Sequence, residues 1–144
     1  MIVPDANVLL YAYHEGAPQH TRARRWVESA FSGSEPIGLP WQCITAFVRI
    51  GTHNRVFTNP YTAPEALGIV RSWLAAAPVR ILEPGGRFFE IFSDLLASSQ
   101  AIGPLVMDAA LAAMAIEVGA TLATTDRDFR RFDGLKLLDP LLEG

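Results

Sequence analysis

Three aspartates occupy positions where charge gains little for an ordinary soluble domain. Asp5 closes the strand-like run Met1-Ile2-Val3-Pro4, Asp108 interrupts the apolar and small-residue stretch Pro104–Met114, and Asp126 follows Ala120–Thr125. A carboxylate beside a buried segment is costly unless it is paired, hydrogen-bonded or bound to a metal. Lys136 is the only lysine and lies close to none of the three, so the acids point to one shared cation. Each alone has a plainer explanation. Asp5 fits a helix N-cap, Asp108 a carboxylate favoured by the dipole at a helix start, and Asp126 a turn residue. Together they fit a hard divalent cation such as Mg2+, which takes carboxylates, water and phosphate oxygens as ligands. Such an ion offsets repulsion between neighbouring carboxylates, supplies a nucleophilic hydroxide and stabilises phosphoryl charge. Asp5, Asp108 and Asp126 are therefore the candidate metal-binding and catalytic groups.

Around them stand weaker candidates. Asp128 follows Asp126 by two residues and is read either as a water-mediated ligand that positions the attacking water or as a turn carboxylate pairing with Arg130 or Arg131. The Asn7 amide is placed to support the site. Thr124 and Thr125 are candidates to hydrogen-bond Asp126 or a substrate phosphate. Of the twelve basic residues all but Lys136 are arginine, with clusters at Arg22, Arg24, Arg25 and at Arg127, Arg130, Arg131. Codon bias accounts for the ratio but not for the crowding of arginines beside Asp126, and the planar guanidinium suits phosphate oxygens. Arg127 and Arg130 are thus candidate substrate contacts.

The elements that must position these groups follow from periodicity. Ile2–Pro4 reads as a strand, and Ala6–Tyr13 as a helix starting directly after Asp5. Further helices are expected over His20–Phe31, Trp41–Gly51, Pro64–Ala77, Arg87–Ser99 and Pro104–Val118. Further strands are expected at Ile37–Leu39, Val79–Leu82, Thr121–Thr124 and Lys136–Leu138, with a turn over Arg127–Phe132 and a loop over Thr52–Pro64. Strands alternating with helices predict an α/β domain with a mainly parallel sheet of about five strands. Ligands bind such sheets beyond the carboxyl ends of the strands. Asp5 and Asp126 both fall just past such ends.

With 144 residues, half of them hydrophobic and 19% charged, the chain predicts one compact domain over residues 1–144 and excludes disorder. A net charge of −3 gives no global positive field. Apolar runs fall short of a membrane span, and the start of the chain carries no signal-peptide pattern, so a cytoplasmic protein without membrane contact is expected. The single Cys43 excludes an internal disulfide and reads as a buried thiol. His14, His20 and His53 show no ligand spacing. Of Trp26, Phe31, Trp41, Phe47, Phe57 and Trp73, most are expected in the core and some along a partner groove.

Asp5-Ala6-Asn7 after a short strand, the helix around Met107-Asp108-Ala109-Ala110-Leu111-Ala112, and Ala123-Thr124-Thr125-Asp126-Arg127-Asp128-Phe129 together resemble the PIN-domain nucleases, and among them the VapC toxins of toxin–antitoxin pairs. Leu39-Pro40-Trp41 through Ala46-Phe47-Val48-Arg49-Ile50 to Arg55-Val56-Phe57 is similar to one VapC subgroup. The resemblance implies an α/β/α sandwich and an Mg2+- or Mn2+-dependent endoribonuclease acting on RNA. It also implies a cognate antitoxin protein as inhibitor, and a homodimer. It implies metal-site and catalytic roles for Asp5, Asp108 and Asp126. One departure stands out: where many PIN domains carry a Glu after the second strand, this chain has Ala46, and Thr45 and Phe47 cannot replace it. That departure motivates an alternative, a non-catalytic module binding RNA or protein. A phospho-aspartate receiver or haloacid-dehalogenase-type phosphatase fits poorly, because Asn7 stands where the phosphatase needs a second Asp and Lys136 falls at the start of the last strand.

Overall fold

Ile2–Pro4 (β1), Ile37–Pro40 (β2), Val79–Leu82 (β3), Thr121–Ala123 (β4) and Lys136–Leu138 (β5) form one sheet of order β3-β2-β1-β4-β5. Every neighbouring pair is parallel in the computed structural model, which describes residues 1–142. The helices are Ala6–Ala12 (α1), His20–Phe31 (α2), Trp41–Gly51 (α3), Ala63–Ala75 (α4), Phe88–Ser99 (α5) and Pro104–Glu117 (α6), with a 3-10 helix at Arg127–Arg131.

The expected α/β/α sandwich is the observed architecture, because each connection buries its helices against one face. Leu9, Val27, Phe47 and Trp73 from α1 to α4 build one core with Ile37 and Leu39 of β2. Leu95 of α5 and Leu111, Ala112 and Ala113 of α6 build the other with Val3, Leu122 and Phe129. Small side chains on α6 (Ala109, Ala112, Ala113 and Ala115, all fully buried) let its backbone lie close to the sheet. Helix α3 serves both cores: Ile44 and Phe47 enter the first and Cys43 the second. Its Gln42–Arg49 edge therefore runs along the rim between the layers.

The chain steps from β1 outward to β2 and β3, then returns to the opposite side of β1 to form β4. That reversal opens a crevice over the carboxyl ends of β1 and β4, where parallel sheets bind their ligands. Register fixes what meets there. Pro4 pairs with Ala123, and the Asp5 amide donates to the Ala123 carbonyl at 2.9 Å, so Asp5 and Thr124 leave the sheet side by side.

Several boundaries differ from expectation. Helix α4 begins at Ala63 because Thr62 caps it: the Glu65 amide donates to the Thr62 hydroxyl at 3.2 Å and the Thr62 amide donates to Glu65 at 2.8 Å. It stops at Ala75, where Ala76 turns extended shortly before Pro78. Helix α6 is entered through Gly103, whose φ of 59° favours glycine. Four of the six aromatics considered for a groove (Phe31, Phe47, Phe57 and Trp73) are buried, Trp26 is half-buried and Trp41 is 50% exposed. No helix among the described residues is long and apolar enough to cross a membrane.

Candidate active site

Asp5 leaves β1 directly into α1 and is only 8% exposed. It stands at the N-cap position but its side chain makes no capping hydrogen bond, so capping does not explain it. Instead the Thr124 hydroxyl donates to Asp5 Oδ2 at 2.9 Å. The same Thr124 oxygen accepts the Asp126 amide at 3.0 Å. One buried threonine thus ties the turns after β1 and β4 together and holds two of the three acids near each other. Thr125, the neighbour expected to share this role, is half-buried and makes no side-chain hydrogen bond among the described residues. Burial raises the Asp5 carboxyl above its ordinary value, opposed first by Thr124 and then by the nearby Ala6 amide, while the Asp126 charge adds to the rise.

Asp108 does not lie at the start of its helix. Pro104 opens α6, so Asp108 falls in the second turn, beyond the reach of the N-terminal dipole that favoured it in the sequence. Burial first, then the charges of Asp126, Asp5 and Asp128, push its carboxyl up to about 6, with Arg131 pulling the other way. The charges of Asp126, Asp5 and Asp128 thus all bear on the Asp108 carboxyl. Asp126 accepts the Asp128 amide at 2.8 Å and so caps the 3-10 helix as well as facing the cluster. The Asp128 carboxylate is exposed and lies 3.9 Å from Arg131, and the Arg131 side chain also donates to the Asp128 carbonyl at 3.2 Å. The pairing half of its two expected roles is what the geometry displays.

Asp5 and Asp108 line an open cavity of about 470 Å³ between α1, α3 and α6. Exposed Asn7 lines it too, as do Gln42, half-buried Ala46 and Arg49. Gln42 donates to the Met107 carbonyl at 3.1 Å and links α3 to α6 across the rim. Cys43 sits beneath, its thiol pushed up by burial and by Asp5, which leaves it protonated and inert. Arg49 was not singled out from the sequence, where it is one helix arginine among many. Its guanidinium has no ion-pair or hydrogen-bond partner among the described residues. Arg127 and Arg130 line a second cavity of about 290 Å³ with Thr125 and Asp126.

A hard divalent ion fits this oxygen-rich, mutually repelling donor set. Among the described residues no three acidic, His or Cys groups are posed to enclose an ion by themselves. Mg2+ commonly uses one or two carboxylates and completes its shell with water and phosphate oxygens. The three histidines stand apart: His14 stacks on Phe57, His20 Nδ1 contacts the Tyr11 carbonyl, and His53 Nδ1 accepts the Arg55 amide.

The sequence profile of the PIN domain matches residues 2–135, which is nearly the whole chain. The chain belongs to the PIN domain family. Ribonuclease VapC33 of Mycobacterium tuberculosis is 41% identical over 99% of this chain and 100% of its own length. Ribonuclease VapC37 of the same organism is 36% identical over 97% of both chains. Solved structures share the fold of this PIN domain. VapBC2 from Rickettsia felis, bound to a DNA fragment from its promoter, superposes with a TM-score of 0.69 at 18% identity, covering 96% of this chain and 98% of its own. The Sarcin-Ricin loop cleaving toxin VapC20 of M. tuberculosis gives 0.68 at 17% identity, covering 94% and 99%. The family expected from Asp5-Ala6-Asn7, the Asp108 helix and Ala123–Phe129 is the one that the profile and the full-length relatives identify.

Proposed function

We propose that this PIN domain is a metal-dependent endoribonuclease, the toxin component of a toxin–antitoxin pair, acting in the cytoplasm. The observation that carries this reading is the convergence of Asp5, Asp108 and Asp126 over the topological reversal of the sheet, in a chain whose full-length relatives are named ribonucleases. In it, Asp5, Asp108 and Asp126 hold Mg2+ or Mn2+, and the ion when bound polarises the phosphodiester and offsets charge that develops on its oxygens.

The protein's own groups do the rest. Thr124 keeps Asp5 and Asp126 at a fixed spacing. Arg127 and Arg130 bind backbone phosphate on the β4 side of the acids, and Arg49 faces the substrate from α3. In hydrolysis the oxygen of water bonds to phosphorus and the bond to one ribose oxygen breaks, that oxygen taking a proton from solvent water to leave as a hydroxyl. Asp128, the exposed carboxylate beyond the trio, is the group we assign to take the water's proton. Asn7 contacts the substrate at the cavity mouth. Ala46 leaves the donor set one carboxylate short, so an ion held there would need more of its ligands from water and phosphate. A cognate antitoxin protein as inhibitor and assembly as a homodimer belong to the same proposal; VapBC complexes among the structural neighbours motivate the first.

The test is cleavage of total RNA by the purified chain with Mg2+, with Mn2+ and with chelator, beside Asp5→Asn and Asp108→Asn. Both substitutions are expected to lower cleavage by at least about 100-fold while the circular dichroism spectrum is unchanged. Full cleavage by both variants, or cleavage indifferent to chelator, overturns the proposal.

A further inference from the structure

The arginine cluster on α2 has no place in the cleft just described. Arg24 is accounted for structurally: its Nε donates to Glu28 at 2.7 Å and its guanidinium lies 4.6 Å over the Tyr13 ring. Arg22 and Arg25 are not. Both are exposed, and with half-buried Trp26 and exposed Ser29 they line a third cavity of about 240 Å³ against the end of β5. Arg25 has no hydrogen-bond or ion-pair partner among the described residues, and Arg22 makes only one long contact, 3.4 Å to the Leu141 carbonyl.

This cavity continues from the active site. Leu138 and Asp139 line both it and the cavity that holds Asp126, Arg127 and Arg130. A surface therefore runs from the acids, past Arg127 and Arg130, around the carboxyl end of β5 to Arg22, Arg25 and Trp26. Among the described residues it carries four guanidinium groups against the carboxylates of Asp126 and Asp139, a local excess of two positive charges on a chain of net charge −3. Asp139 is engaged by the Leu141 amide at 2.9 Å, and Asp126 faces the acid cluster. Guanidinium groups spaced along a path with an aromatic face beside them are what single-stranded nucleic acid requires, since arginine takes the phosphates and the ring stacks a base.

We propose that the Arg22–Arg25–Trp26 cavity is an exosite for single-stranded RNA, holding nucleotides that extend beyond the cleft around the β5 edge. The proposal rests on the ribonuclease reading above and deepens it. The exosite contributes affinity for long RNA, and plays no part in cutting a fragment short enough to fit the cleft.

The test compares a labelled RNA of about 20 nucleotides with one of about four, measuring anisotropy in chelator and steady-state cleavage with Mg2+. The protein variants are Arg22→Gln with Arg25→Gln, Trp26→Leu, and Arg71→Gln on exposed α4 as a control. The double arginine variant is expected to bind the long RNA about tenfold more weakly and to lower the slope of log affinity against log salt by about 1.4, at about 0.7 per phosphate contact. Trp26→Leu is expected to weaken long-RNA binding about tenfold with the salt slope unchanged. The thermal midpoint of the double arginine variant, short-RNA cleavage by every variant and the control stay at the unmodified values, while Trp26→Leu, which trims a side chain packed on the first core, stays folded with a somewhat lower midpoint. Unchanged binding and slope on the long RNA overturn the exosite and leave the ribonuclease reading standing, and so does an equal loss on both lengths. A chain that neither binds nor cuts either RNA overturns both.

Discussion

Arg49 faces the acids from α3, one turn beyond Ala46, with its charge uncompensated by any described side chain. A guanidinium in that position has a phosphate as its natural partner, because a bidentate contact satisfies it and neutralises the substrate entering an acidic cleft. Arg49→Ala is therefore expected to raise the KM for RNA about tenfold, with Arg49→Lys recovering part of the loss since charge remains but the fork does not. Steady-state kinetics on one defined RNA check this, and an unchanged KM in the alanine variant would remove Arg49 from the site. The exposed side chain predicts little change in thermal midpoint. The acids were legible before the fold because a carboxylate against an apolar run is a local anomaly, visible at Asp5, Asp108 and Asp126 without knowing what lies opposite. Arg49 gave no such signal. On a helix an arginine is ordinary, and only the placement of α3 beside α1 and α6 turns it toward the cleft. Thr124 stood between: its hydroxyl was recognised as a possible partner of Asp126, but only the register of β1 against β4 reveals that it also holds Asp5.

At the scale of elements, periodicity and punctuation located all five strands and all six helices, and the misses lie at the ends. Helix α4 is the clearest case. The stripe Ala66, Leu67, Val70, Trp73 and Leu74 marks the helix, but only Ala66, Val70 and Trp73 are buried while Leu67 and Leu74 are exposed, and the pattern starts it at Pro64 although Thr62 and Glu65 carry the spacing of a capping box. Both reciprocal bonds form on the surface, so Thr62→Ala is expected to cost about 1 kcal/mol of stability, and Glu65→Ala less. Chemical denaturation with an unchanged m-value checks the figure; no loss in Thr62→Ala would mean that the cap contributes nothing. The Asp108 helix illustrates the opposite limit. Its apolar, alanine-rich composition announced a buried helix starting at Pro104, and it does start there, but counting from that start puts Asp108 in the second turn, past the end whose dipole would favour it. The exosite lies further still from legibility. Arg22 and Arg25 meet Arg127 and Arg130 only because β5 is an edge strand whose end borders α2, a relation spanning more than a hundred residues of chain.

Across the whole molecule, gathering three carboxylates at one end of the sheet opposes folding unless something compensates. The carboxyls of Asp5 and Asp108 are raised above their ordinary value, so the folded chain binds protons more tightly than the unfolded one. Their repulsion and desolvation are absent while they are protonated and grow as pH rises from the ordinary carboxyl range through about 6, where Asp108 ionises. In chelator these groups lower stability over that window, and the loss levels off above it. Asp108→Asn removes part of the effect and is expected to stabilise the metal-free chain at neutral pH by about 1 kcal/mol, a figure reduced for the solvent that reaches this half-buried group. A divalent ion acts in the reverse direction. It binds ionised carboxylates, so at pH 7.5 a saturating level near 100 times its dissociation constant adds about 2.7 kcal/mol, or roughly 9 °C in thermal midpoint for a chain of this size. At pH 5 Asp108 is largely protonated and the same Mg2+ concentration is expected to shift the midpoint little. Thermal melts at the two pH values, with Mg2+ and with chelator, test the shared cation independently of any RNA. An equal Mg2+ shift at both pH values, or a full shift retained in Asp108→Asn, would show that the ion binds elsewhere and that the three aspartates repel one another for another reason.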